Sequence, residues 1–124
     1  MNTDLSLISS MATRQLLAAL AEAWQLAGGS RVKLEAVGGV DAARRVQSGE
    51  AFDVIVLASD AMAKLAAEGH VLADSRRAIV DSAVAIAVRD GAPQPDIGSE
   101  EALRRSVLAA RSIGYSTGCV FRRT

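Results

Sequence analysis

A single cysteine, Cys119, excludes an internal disulfide, and one histidine, His70, far from it leaves no ligand set for zinc. Aromatic residues are scarce: Trp24, Phe52, Tyr115 and Phe121 make up the whole set, too few for a base-stacking surface. Neither sign of charge is in excess, with 14 basic and 14 acidic side chains, so the chain lacks the basic surplus that nucleic-acid binding draws on. No apolar run is long enough to cross a bilayer. No nucleophile–base pair and no phosphate-binding glycine motif stands out, and nothing calls for a cofactor. The opening MNTDLSLISS has neither a basic n-region nor a long apolar h-region. Read literally the chain is cytoplasmic; with a trimmed start it would be periplasmic.

Half of the 124 residues are hydrophobic, enough for one small globular core. Strand and helix signals alternate. Leu5 to Ile8 is a short strand, and Ser9-Ser10-Met11 turns the chain. A helix from about Ala12 to Ala27 spaces Leu16, Leu17, Leu20, Ala23, Trp24 and Ala27 on one apolar face and stops at Gly28-Gly29. Arg31 to Ala36 alternates Val32, Leu34 and Ala36 inward. After the turn Gly38-Gly39-Val40, a helix runs from Asp41 to Ser48 and ends at Gly49. Asp53 to Leu57 is a near-continuous apolar run, expected to be covered on both faces. A helix from Ala61 to Glu68 follows, with Asp60 as N-cap and Gly69 as its stop. Three such units in sequence predict a parallel sheet flanked by helices.

Residues 71–82 are polar and extended, like a crossover segment. Ala83 to Val88 reads as a further strand, Glu100 to Arg105 as a short helix capped by Ser99, and 112–116 as a last strand.

The order of these features resembles the type 2 periplasmic binding proteins, in their molybdate-binding (ModA-like) branch. The likeness is carried by Ala43-Arg44-Arg45-Val46-Gln47-Ser48-Gly49, by Asp53-Val54-Ile55-Val56-Leu57-Ala58-Ser59-Asp60 and by Ala66-Ala67-Glu68-Gly69. The Arg76-Arg77 pair and Ser112-Ile113-Gly114-Tyr115-Ser116-Thr117-Gly118 extend it. The resemblance implies an α/β first lobe over 1–70, a hinge at 71–82 and an incomplete second lobe over 83–124. The tail TGCVFRRT departs from the family pattern at Gly118, which suggests a chain truncated in its second lobe, by a frameshift or an early stop.

By the same resemblance the ligand is a small anion held between lobes by helix N–H groups and small hydroxyls, for delivery to an ABC transporter membrane subunit. Position by position, Ser9, Ser10 and Met11 form the first ligand loop, Gly38 and Gly39 the second, Ser59 the third, and Ser116 and Thr117 the contribution of the second lobe. Gly38-Gly39 stands where the molybdate pattern has paired serines, keeping N–H donors without hydroxyls. A carboxylate ligand is therefore about as compatible as molybdate. The glycines read either as an anion nest or as a tight turn. Ser9 and Ser10 read as ligand hydroxyls or as the cap of the first helix, and Asp60 is read as structural. Arg76 and Arg77 are a carboxylate clamp or, as the commoner reading, solvated crossover residues.

Some relatives in this branch are isomerases of small tricarboxylic acids such as aconitate. An enzyme would draw on His70 or Tyr115 for acid–base work. A third reading is an effector-sensing domain, which would need a partner chain for DNA binding. Oligomeric state is open.

Overall fold

Leu5 to Ser10 forms the central strand, β1, of a three-stranded sheet in a computed structural model that describes residues 3–115. The second strand, β2 (Val32–Val37), pairs with it in parallel from Leu5–Val32 to Ser10–Val37. The third, β3 (Val54–Val56), pairs on the other side from Leu7–Val54 to Ser9–Val56. The order is β2-β1-β3, all parallel. The helices between and after the strands are α1 (Arg14–Leu26), α2 (Gly39–Gln47) and α3 (Ser59–Ala67). The α/β class and the three βα units agree with the sequence reading.

Register sorts the strand residues onto two faces. Ile8 lies on the face that buries Ala42 and Val46 of α2 and Leu65 of α3, with Val37, Phe52, Ile55, Leu57, Met62 and Val71 packed around them. The opposite face carries Leu7, Leu34 and Val54, and α1 packs there against β2. Since α1 reaches β2, the β3 side of that face stays open and Val54 is 41% exposed. The expectation of a strand covered on both faces is thus corrected: β3 is three residues long and lies at an edge. The apolar face of α1 is likewise only partly used. Leu17 is buried, whereas Leu16, Leu20 and Trp24 are exposed. The Trp24 indole instead folds over the turn after α1, where a Cβ on Gly29 would meet it at 2.2 Å.

The helices α1, α2 and α3 end alike. Gly28, Gly49 and Gly69 have φ of 92°, 93° and 79°. In each case the next residue's N–H donates back over the last turn: Gly29 to Trp24 O, Glu50 to Arg45 O and His70 to Leu65 O. These are Schellman closures, which need the left-handed conformation that glycine adopts without strain. At the second of them Arg45 is ion-paired with Glu50 and with Glu35 of β2, and its guanidinium lies 5.3 Å from the Phe52 ring centroid. One arginine thereby ties β2, α2 and the approach to β3.

The chain divides into two units, 1–80 and 81–117. Within the second, the helix α4 (Glu100–Ala109) runs four residues beyond its expected end and buries Ala102. Ser99 is its cap, as the sequence indicates: its hydroxyl accepts the Ala102 N–H at 3.1 Å. The strands expected at 83–88 and 112–116 are not formed among the described residues of either segment. Val84 is 76% exposed, and Ile86, Val88 and Ile113 are exposed as well. Apolar alternation makes a strand only when another strand supplies ladder hydrogen bonds, and neither segment pairs with one here.

Candidate functional site

All three strands of the sheet point the same way, so the starts of the helices that follow them share one edge. From β1 the chain crosses to β2 on one face and returns over the other to β3. Central β1 is therefore the switch point of the topology, and the crevice beyond the carboxyl ends of β1 and β3 is where open α/β sheets take ligands.

The residues at this edge begin with Ser9 and Ser10. Both belong to β1 rather than to a turn, because Ser9 pairs with Ala36 and Val56 and Ser10 with Val37. Ladder hydrogen bonds on both sides outweigh the serine preference for turns. Ser9 is fully buried and its hydroxyl has no hydrogen-bond partner among the described residues. Such an orphan is uncommon in folded proteins and costs about 1–3 kcal/mol. Ser10 immediately precedes a 3-10 turn, Met11–Thr13, whose start it does not cap with its side chain; Met11 is exposed there.

Gly38 and Gly39 are neither a nest nor a tight turn. Gly38 is the N-cap of α2, with φ −54° and ψ 141°, and its carbonyl accepts the Ala42 N–H at 2.9 Å; Gly39 is the first helical residue. Neither has the positive φ that a nest requires. Gly39 lies beside the end of β1, where a Cβ would stand 3.7 Å from Ser10 Cβ.

At the third junction the expected cap is corrected. Ala58 is the N-cap of α3, its carbonyl taking the Met62 N–H at 3.0 Å, and Ser59 opens the helix. Asp60 lies inside the first turn, its Oδ1 accepting the N–H of Ala61 at 2.9 Å. The strand hands the chain to the helix two residues earlier than the Asp60 signal suggests. Consequently α2 and α3 both begin without a side-chain cap, while α4, in the other unit, has one. Free N–H groups with the positive end of the helix dipole favour anions.

An open hollow of about 830 Å³ lies over the start of α3, lined by Ser59, Asp60, Ala61, Ala63, Lys64 and Arg76. Arg76 reaches back to donate from Nη2 to Ser59 Oγ at 3.2 Å. In the sequence, guanidinium chemistry is the one local signal for a site role at this arginine, beside the commoner reading of a solvated crossover residue. Arg77 behaves as that plainer reading has it, donating to the carbonyls of Asp74 and Arg76. Lys64 had no signal in the sequence; it stands one turn on from Asp60 and is 3.8 Å from Glu68.

His70 lies beyond the far end of α3, roughly 13 Å along the helix axis from Ser59. There its Nε2 is 3.5 Å from Glu68, which also accepts a hydrogen bond from Gln47. Tyr115 belongs to the other unit and is 73% exposed, so it is not buried in a strand. Ser116 and Thr117 lie outside the described residues. Among the described residues no three of His, Cys, Asp and Glu gather to hold a metal.

A parallel sheet whose uncapped helix starts meet at a switch point defines an α/β lobe built to receive a small solute. Residues 5–119 match the family model described as bacterial extracellular solute-binding protein, and the chain belongs to that family. Among curated proteins it is 34% identical over 119 residues to an aconitate isomerase of Pseudomonas sp, an alignment covering 92% of this chain and 45% of that relative. The chain thus spans about half the length of the curated relative it matches. No solved structure matches it significantly.

Proposed function

We propose that this chain supplies the binding lobe for a small anion, with an organic carboxylate favoured over molybdate, and that the whole protein passes its ligand to an ABC transporter. The observation that carries this reading is the pair of uncapped helix starts, at Gly39 and Ser59, flanking the end of β1. They offer N–H donors but, at Gly38-Gly39, no hydroxyls. The name of the Pseudomonas relative supports a carboxylate.

Thermal unfolding of the 124-residue chain with millimolar tricarballylate, citrate, molybdate or sulfate tests this. The carboxylates are expected to raise Tm in a concentration-dependent way, as any ligand of the folded state does. A rise with molybdate alone would overturn the carboxylate preference. Unchanged Tm with all four would overturn the anion reading.

The relative's name also supports a second reading, an isomerase moving a proton on a tricarboxylate. Incubation with cis-aconitate followed by proton NMR separates the two: growth of the trans isomer indicates the enzyme, and binding without turnover the receptor.

A further inference from the structure

We infer that Arg76 is the specificity-determining residue that makes this site select anions bearing a second carboxylate. The inference rests on the small-anion reading above and extends it to the shape of the ligand. Arg76 follows the 3-10 turn Ala73–Ser75, which packs against α3, and returns its guanidinium to the start of that helix. A guanidinium has five N–H donors in a planar fork. The hydrogen bond to Ser59 engages one of them with a neutral oxygen, and no carboxylate of the described residues is ion-paired with Arg76.

The other charges of the hollow are partly occupied. Lys64 is near Glu68, and Asp60 accepts from the backbone of its own helix. Asp60 puts a carboxylate in the first turn of α3, and Arg76 adds beside it a positive charge that is ion-paired with no described carboxylate. Ser59 stands between two unlike donor sets. The N–H groups of Ser59 and Asp60, which remain once Asp60 Oδ1 has taken that of Ala61, suit one oxyanion, and the fork of Arg76 suits the planar oxygens of another. Ala61 and Ala63 give the hollow an apolar wall for the carbons in between. A di- or tricarboxylate can engage both sets at once, one carboxylate on each, whereas an anion with a single oxyanion group has only one to offer.

Isothermal titration of the 124-residue chain with tricarballylate, butyrate and molybdate, repeated on Arg76→Gln and Arg76→Lys, tests the inference. Loss of one charge-assisted bidentate contact is expected to weaken tricarballylate about tenfold in Arg76→Gln. Butyrate and molybdate should change less than twofold. Arg76→Lys should recover only part of the loss, since it restores charge without the fork. Arg76 is exposed, so circular dichroism of both variants should match the wild type.

Equal weakening of all three ligands, or of none, overturns the role of Arg76 and leaves the small-anion reading standing. Tight molybdate binding with no tricarballylate binding by the wild type does the same. No binding of any probe to the wild type overturns the small-anion reading and this inference with it.

Discussion

Asp53 enters the sheet through its contacts with Ser6 of β1. Its Oδ2 accepts both the Ser6 N–H and the Ser6 hydroxyl at 2.8 Å, while its own N–H donates to Ser6 O at 3.0 Å. The Ser6 N–H, and after it the hydroxyl, hold the Asp53 carboxyl below the usual carboxylate range. Glu50 is held low in the same direction, chiefly by its hydrogen bond with Arg45. A carboxyl whose folded pKa lies below its unfolded value stabilises the fold above the unfolded value, near pH 4, and loses that contribution as pH falls through the folded one. Asp53→Asn is thus expected to lower the urea midpoint at pH 7, with the gap to wild type closing below about pH 4. Urea titrations at pH 7, 5 and 3 check this; a constant gap would show that the Asp53 charge is not the cause.

At the scale of elements, helix ends marked by a glycine are easier to read than helix starts, whereas the end of α4, which no glycine marks, lies four residues beyond Arg105. A glycine beyond an apolar-periodic run marks a left-handed closure by its own backbone chemistry, and Gly28, Gly49 and Gly69 each provide one. Starts depend on where a strand releases the chain, which neighbouring strands decide. Asp60 therefore looked like a cap, yet lies within α3, and Gly38-Gly39 looked like a turn, yet begins α2. Ser99 is the exception, since the element directly before α4 is the 3-10 turn Ala73–Ser75 and not a strand. Ser99→Ala should cost about 1 kcal/mol, the usual worth of an N-cap. Hydrogen exchange should show faster loss of protection for α4 amides, Ala102 first, with those of α2 and α3 unchanged. Uniform acceleration across both units would count against a local cap.

At the scale of the whole molecule, the first unit rests on a small core on one face of a three-stranded sheet. Ile8, Ala42, Val46 and Leu65 are its buried members, and Leu65 is 1% exposed. Leu65→Ala should destabilise unit one by about 3 kcal/mol, a large part of the stability of a small domain. Leu20→Ala, on the exposed face of α1, should change it by less than about 0.5 kcal/mol. Denaturant midpoints of the two variants decide the matter; a comparable loss from Leu20→Ala would mean that the face of α1 is covered in solution.

The amino-acid pattern suffices for the α/β class, for the strand–helix alternation and parallel pairing of the first unit, and for its glycine stops. All of these follow from periodicity and backbone conformation, which residues near one another in the chain specify. Only the tertiary structure decided that Ser9 is buried in the central strand, that Leu16, Leu20 and Trp24 remain exposed, and that 83–88 is not a strand. It alone brought Arg76 to Ser59, 17 residues back along the chain. Burial and long-range contact depend on which surfaces meet after the elements form, and no local spacing encodes that meeting.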